Sequence, residues 1–228
     1  MLLYIAGVRR SASTLAFQMA SELVGESNRI RHWRERPKGV LTNKKTWWTV
    51  KGHGYVEEWE EAISNGMIEI FSTVRDPRDV VVSIMQLYGY PKGKKSSAKE
   101  VLDRGWVQKD ISAQNKWRSN FPEHYTCLRY EDFHKSIHVL PLHMQSLMNI
   151  PKDTNVAYEL AERFSYENNR ERTKKQKKTH ADLMFPKHVQ TGMIDMWKYF
   201  LAPKEILMIQ EELGEDWFRE NGYKLWKE

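Results

Sequence analysis

The stretch LLYIAGVRRSAST, residues 2–14, joins a short apolar run to a loop of arginines and hydroxyl side chains. The apolar residues 2–6 predict a buried strand that ends at Gly7, and the helical spacing that follows predicts a helix over 13–24. The N-terminus of a helix presents free backbone N–H groups and the positive end of the helix dipole, which together bind anions. The stretch therefore predicts an anion site where a strand meets a helix.

The stretch MIEIFSTVRDPRDVVVS, residues 67–83, repeats this arrangement later in the chain. Residues 67–74 predict another strand. Asp76 suits the N-cap position and Pro77 the first helical position, so a helix is predicted over 77–88. Two such junctions predict a ligand that carries two separate phosphate-like groups.

Arg75 and Ser83 are the side chains of the second junction that suit an anion. Arg75 ends the predicted strand and Ser83 lies two turns into the predicted helix, so both can flank one anion. The alternative is that Arg75 pairs with Asp79 while Ser83 only fills space. Both interpretations stay open at this point.

The rest of the chain alternates predicted strands with predicted helices. Further strands are predicted over 47–51 and 124–130, and further helices over 55–64, 98–119, 137–148 and 154–168 and from Pro203 onward. The residues 98–119 fit one long helix or two short ones. This alternation predicts an α/β three-layer sandwich with a mostly parallel central sheet and a helix-rich C-terminal half, and the chain length favours a single domain over 1–228. The first junction resembles a phosphate-binding loop, so the fold is expected to be P-loop-like.

Five polar side chains lie at or just past the ends of four predicted strands. They are Arg10, Lys51, His53, Arg75 and Tyr130. In an open parallel sheet, ligands bind beyond the carboxyl ends of the strands. We therefore expect these side chains to converge at one edge of the sheet.

The charge of the chain suits an anionic ligand. Its 228 residues carry a net charge of +6, with seven Lys or Arg in 29–45 and six in 167–180. A nucleic acid or an acidic surface would be attracted equally well. The polar and poorly periodic residues 169–196 are expected to form a flap over the ligand.

Cys127 is the single cysteine, so an intrachain disulfide is excluded, as is typical of a reducing compartment. No apolar stretch is long enough to cross a bilayer, and the N-terminal apolar run is too short for a signal peptide. These features predict a cytoplasmic protein. No clustered Cys and His spacing suggests a metal ligand set, so no metal is expected.

With these motifs in place, the sequence resembles the sulfotransferases that use 3′-phosphoadenosine 5′-phosphosulfate (PAPS). The loop of that family, Pro-Lys/Arg-Ser-Gly-Thr/Ser-Thr, is matched by residues 9–14, and its Arg-x-Pro-x-Asp-x-x-x-Ser motif by residues 75–83. Its Lys-Thr-His is matched by 51–53 and its Tyr-Glu-Asp by 130–132. Its C-terminal basic, glycine and Trp-Lys stretch is matched loosely by 187–198.

The resemblance has three departures within the first loop. Ala12 replaces the glycine, Arg9 replaces the usual proline, and Leu15 stands where many relatives have a tryptophan that stacks on adenine. The C-terminal match is also longer than in the family. The ligand of the 3′-phosphate there is accordingly Lys187, His188 or Lys198.

The resemblance implies roles for the converging side chains. His53 is the general base for a hydroxyl or amine acceptor, with Glu57 or Glu58 as the alternative, since some branches use a glutamate. Lys51 and Arg10 stabilise charge on the bridging and sulfuryl oxygens. Tyr130 either packs in the core or contacts adenine. The implied cofactor-binding residues are Arg9, Arg10, Ser11, Ala12, Ser13, Thr14, Arg75, Ser83, Tyr130 and the basic residues Lys187, His188 and Lys198.

The resemblance implies PAPS as cofactor, 3′-phosphoadenosine 5′-phosphate (PAP) as product, and in-line transfer to a small-molecule, glycan or peptide acceptor. A nucleotide kinase on a related phosphate-loop fold is one alternative, although the chain lacks the Gly-Lys-Ser/Thr ending. A basic nucleic-acid-binding protein is another, and so is a family member that binds cofactor without transferring anything. A nucleic-acid partner is not expected, and the identity of the acceptor and the oligomeric state stay open.

Overall fold

Five parallel strands form one sheet in the order β2-β3-β1-β4-β5. The structure is a computed structural model that describes residues 1–25, 28–30, 45–89, 95–175 and 192–227. The strands are β1 (Leu2–Ile5), β2 (Arg29–Ile30), β3 (Trp48–Lys51), β4 (Ile68–Val74) and β5 (Tyr125–Arg129). The predicted parallel α/β architecture is confirmed.

Helices connect and cover these strands. They are α1 (Ser13–Val24), α2 (Glu60–Ser64), α3 (Pro77–Tyr88), α4 (Lys95–Asp103), α5 (Trp106–Asn120), α6 (Tyr130–Phe133), α7 (Val139–Leu147), α8 (Thr154–Arg163), α9 (Tyr166–Lys175), α10 (Trp197–Phe200), α11 (Pro203–Leu213) and α12 (Glu215–Glu220). The helices after β5 make the C-terminal half helix-rich, as predicted.

The two faces of the sheet are buried under different helices. Because side chains alternate along a strand, Leu3 and Ile5 pack with α1, α7 and α8, while Leu2 and Tyr4 pack with Trp59 and the α5 residue Trp117. A further apolar cluster joins α3, α4 and α5 to the C-terminal helices. The layers are therefore helix, sheet and helix.

Several boundaries differ from those predicted. Of the two alternatives predicted for 98–119, one long helix or two short ones, the structure has two helices, because Gly105 adopts φ +66° between α4 and α5. The segment predicted over 154–168 is also divided, into α8 and α9, and Tyr130 begins α6 instead of ending β5. The expected flap is wrong for residues 169–175, which belong to α9. Its residues 176–191 lie outside the described part of the chain.

The register of the sheet sets the level at which the strands end. Ile5 pairs with Lys51 on one side and with Phe71 on the other. Just beyond, the Ala6 and Val8 N–H groups donate to Phe71 O and Thr73 O at 2.9 Å each, which carries the pairing of β1 with β4 into the loop. The first junction therefore begins directly against the end of β4.

Gly7 is required at this point by close contact. A Cβ atom there would overlap Thr73 Oγ1 and lie 2.6 Å from Ser13 Cβ. We expect Gly7→Ala to lower the free energy of unfolding by about 1–3 kcal/mol, as measured by urea denaturation, because the loop or the strand must shift. Gly54→Ala is the control, since a Cβ atom on Gly54 meets nothing within 4 Å. Equal stability of the two variants would contradict this reading of the loop.

Candidate functional site

The loop between β1 and α1 is held in shape by Ser11. Its buried hydroxyl lies 2.7 Å from Thr73 O and 2.8 Å from Thr73 Oγ1, so it ties the loop to β4. Arg10 and Ala12 take left-handed conformations, with φ of 68° and 70°. The loop then opens into α1, whose first N–H groups have no acceptor within the helix.

Arg10 brings the two predicted junctions into contact. Its Nε donates to the Ser83 hydroxyl at 2.9 Å, although the two residues belong to different strand–helix units. Burial, together with the positive charge of Arg75, lowers the pKa of Arg10 to about 10. The two junctions therefore form one continuous positive site that an anion would stabilise.

Arg75 is buried at the centre of the second junction. Its guanidinium donates to Asp79 Oδ2 at 3.3 Å and to the carbonyl of Met193, and its Cζ lies 4.6 Å from the ring centre of Tyr130. Its buried Nε has no hydrogen-bond partner among the described residues. The pairing with Asp79 is thus real, and one donor of Arg75 still has no acceptor in the described structure.

Asp79 and Tyr130 fasten the segment that precedes α10. Asp79 accepts hydrogen bonds from the backbone N–H groups of Asp195 at 2.9 Å and Trp197 at 3.0 Å. Tyr130 donates its hydroxyl to Gly192 O at 2.6 Å. The C-terminal segment is therefore closed onto the second junction by hydrogen bonds to side chains.

A cavity of about 530 Å³ opens beside these residues. One wall consists of Arg10, Ala12, Ser13, Thr14, Arg75, Ser83 and Tyr130, all of them predicted cofactor-binding residues. A second part of the lining, the aromatic wall, comes from the α7–α9 region and includes His138, Tyr158, Phe164 and Tyr166. No motif in the sequence marked these aromatic residues as lining the cavity.

Lys51 and His53 form a pair just past the end of β3. Lys51 Nζ lies 3.0 Å from His53 Nε2, and His53 Nδ1 lies 2.7 Å from Gly7 O. Because a carbonyl oxygen only accepts, Nδ1 carries the proton and Nε2 has the lone pair. Burial lowers the pKa of Lys51 to about 8. Among the described residues, neither member of the pair lines the cavity.

Asp110 on α5 is the site residue that the sequence did not reveal. Its buried carboxylate receives two hydrogen bonds from the Arg9 guanidinium, at 2.7 and 2.8 Å, and a third from the Arg9 backbone N–H at 2.9 Å. A signal was available: Val107, Asp110, Gln114 and Trp117 share the buried face of α5 at helical spacing. An acid in an apolar stripe requires a partner.

The family model for the sulfotransferase domain matches residues 21–220. The chain belongs to the sulfotransferase family. The match begins after the loop of the first junction and includes the second junction. No curated protein matches the chain in sequence.

Solved structures of sulfotransferases share this fold. Mouse sulfotransferase SULT7A1 in complex with PAP has a TM-score of 0.68 at 13% identity, over 96% of this chain and 83% of that one. Retinol dehydratase in complex with retinol and PAP has a TM-score of 0.65 at 12% identity, over 100% of this chain and 83% of that one. The sulfotransferase domain of the curacin biosynthetic pathway has a TM-score of 0.54 at 14% identity, over 99% of this chain and 98% of that one. At such identities the likeness shows the fold.

The remaining predicted site residues of this sulfotransferase lie elsewhere or cannot be placed. The guanidinium of Arg9 faces Asp110, and the hydroxyl of Ser11 points into the sheet edge. Lys198 lies on the surface, where its ammonium pairs with Asp195 at 2.7 Å. Lys187 and His188 fall outside the described residues. The alternative bases Glu57 and Glu58 are exposed.

The described residues contain no helix long and apolar enough to cross a membrane. Within the same ranges, no group of three or more His, Cys, Asp or Glu side chains is arranged to hold a metal ion.

The left-handed conformation of Ala12 leads to a test of the loop. An L-residue is strained by about 1 kcal/mol in this region and glycine is not. We expect Ala12→Gly to raise the free energy of unfolding by about 1 kcal/mol in chemical denaturation, whereas Ala16→Gly, inside α1, should lower it by at least a similar amount. A loss of stability in both variants would show that the loop does not hold Ala12 in this conformation.

Proposed function

We propose that this sulfotransferase moves the sulfuryl group of PAPS to a hydroxyl or amine of an acceptor, with His53 as general base. The observation that carries the proposal is the contact of Arg10 with Ser83, which joins two anion-binding junctions along one wall of a cavity. On the other side of the same loop, His53 is held by Gly7 O. An anion site and a base thus meet at one loop.

The residues at the cavity fit a nucleotide with phosphates at both ends. Arg10, Ser13 and Thr14 would hold the 5′ phosphosulfate, where α1 adds its N–H groups and dipole. Arg75 and Ser83 would hold the 3′-phosphate, and the buried Nε of Arg75 awaits an acceptor. The aromatic wall would cover the adenine ring of the nucleotide. Relatives of the same fold are described as complexes with PAP, which supports this choice.

The chain's own groups supply the proton chemistry. When bound, PAPS supplies an activated sulfuryl group and PAP is the leaving product. His53 takes the acceptor's proton at Nε2, because Nδ1 already donates to Gly7 O. The hydrogen bond between Lys51 Nζ and His53 Nε2 must break first. The Lys51 ammonium, together with Arg10, can then stabilise the negative charge that develops during transfer.

The surface around Arg104, Trp106 and Tyr88 suits an acceptor that has a ring and a negative charge. The guanidinium of Arg9 lies 5.4 Å from the ring centre of Trp106, and that of Arg104 lies 4.9 Å from Trp106 and 4.6 Å from Tyr88. Trp106 is one helical turn before Asp110, whose carboxylate is 4.0 Å from His53. Aromatic faces flanked by arginines bind planar or sugar rings with acidic groups.

Nucleotide binding tests the cofactor. We expect PAP at 100 times its dissociation constant to add about 2.7 kcal/mol to stability and to raise the unfolding midpoint by about 5–10 °C, and AMP, ADP and ATP to do much less. Stabilisation by ATP alone would favour a kinase. No stabilisation by any nucleotide, with tight and salt-sensitive binding of nucleic acid, would favour a nucleic-acid-binding protein.

Arg75 is predicted to recognise the 3′-phosphate. In calorimetry, Arg75→Ala should weaken binding of PAP at least tenfold more than binding of AMP, because only PAP carries that phosphate. Arg219→Ala is the control: it removes an equal charge from an exposed residue that pairs with Asp216 and Glu215. Equal weakening of both nucleotides by Arg75→Ala would refute the assignment.

His53 is predicted to act in transfer and not in binding. His53→Ala should abolish transfer from radiolabelled PAPS to phenolic, sugar and amine acceptors that the wild type uses, and should leave PAP affinity nearly unchanged. Weakened PAP binding with normal turnover would exclude His53 as the base. Glu57→Gln and Glu58→Gln, made in parallel, would then identify the alternative.

A further inference from the structure

Asp110 gathers charged groups from separate elements of the fold around one buried carboxylate. The residue is 1% exposed and lies on α5, and it does not line the cavity. Arg9 from the first loop donates to both carboxylate oxygens. On the other side, Oδ2 lies 4.0 Å from His53 Nδ1.

Charged and titratable groups from the first loop, from β1 and from the end of β3 with the residues after it face Asp110. They are Arg9 in the loop, Lys51 at the end of β3, His53 after β3 and Tyr4 on β1. Burial raises the pKa of Asp110, while the hydrogen bonds and charge of Arg9 and the charge of Lys51 oppose that rise. The same residues that surround His53 thus offset part of the cost of burying the ionised carboxylate.

We propose that Asp110 is a positioning residue that fixes the first loop through Arg9 and supplies the counter-charge for the imidazolium of His53. The inference rests on His53 acting as the base in the proposed function. The proton moves from the acceptor's O–H or N–H to Nε2 of His53, so the neutral ring becomes a cation. The Nδ1–H group remains hydrogen-bonded to Gly7 O. The Asp110 carboxylate, 4.0 Å from Nδ1, attracts the new positive charge without taking the proton.

The position of Asp110 relative to the loop explains why one carboxylate can do both tasks. Arg9 N–H and Nε converge on Oδ2, and Oδ2 is also the oxygen nearest to His53. The same Nδ1–H group of His53 donates a hydrogen bond to Gly7 O, which belongs to the loop. A shift of Asp110 would therefore move the loop and the base together.

The decisive measurement is an NMR titration of the His53 imidazole, which needs neither cofactor nor acceptor. His53→Ala assigns the resonance. Asp110→Asn keeps the shape and one of the two acceptor oxygens for Arg9 but removes the charge, so we expect the pKa of His53 to fall by about one unit. Asp103→Asn is the control, since that carboxylate is exposed and paired with Lys99. An unchanged pKa in Asp110→Asn would overturn the proposal.

Kinetics separate this role from a purely structural one. Asp110→Asn should lower kcat at least tenfold, move the acidic limb of the pH profile down with the imidazole pKa, and change the dissociation constant of PAP less than threefold. Equal losses of PAP affinity and kcat, with an unmoved profile, would reduce Asp110 to a structural ion pair. Absence of PAP binding in the wild type would instead refute the proposed function. The NMR titration would still decide whether the charge of Asp110 acts on His53.

Arg9→Gln keeps the proposal falsifiable if Asp110→Asn does not fold. It removes the positive charge of the pair and leaves the carboxylate with the backbone N–H and an amide donor. We expect the pKa of His53 to rise, opposite in sign to the effect of Asp110→Asn. A fall or no change would overturn the proposal.

Discussion

The parallel pairing of β1 with both β3 and β4 determines where every reactive side chain lies. Because the three strands run in one direction and in register, Lys51, the loop after Ile5 and the end of β4 reach one edge of the sheet. Gly7 lets the first loop lie directly on β4, and Ser11 fastens it there. Because these strands end at the same height, Arg10 contacts Ser83 and Gly7 O accepts a hydrogen bond from His53.

Positive charge is concentrated at this edge in a partly buried environment. Burial is the main cause that lowers the pKa of Arg10 and of Lys51, and the neighbouring positive charges of Arg75 and Arg9, respectively, lower these values further. Among the described residues, the buried carboxylates that balance this charge include Asp79 and Asp110. Asp79 pairs with Arg75 of the second junction and accepts a hydrogen bond from the backbone of Trp197, whereas Asp110 pairs with Arg9 of the first loop. The buried Nε of Arg75 has no hydrogen-bond partner among the described residues, so an anion that accepted from it would add stability.

Local pattern predicted β1, β3, β4, β5 and most helices because alternation, caps and helical spacing act over a few residues, whereas the two-residue strand β2 was not predicted. Asp76, for example, caps α3 through the backbone N–H of Arg78 at 2.9 Å, as its type and place predict. Whether the segment 98–119 breaks at Gly105 was left open by the sequence, since a single glycine is compatible with one helix or two. The helical state of 169–175 was missed because its stability comes from packing and not from an apolar period.

The sequence by itself determined the parallel α/β fold, the two strand–helix junctions and the order in which Arg10, Lys51, His53, Arg75 and Tyr130 occur. Only the tertiary structure decided which of these touch, and which polar residues from elsewhere serve them. Asp110 stands 101 positions after Arg9, and Met193 stands 118 after Arg75. Contacts over such separations leave no periodic trace in the chain, because they arise when packed helices bring distant side chains to the same sheet edge.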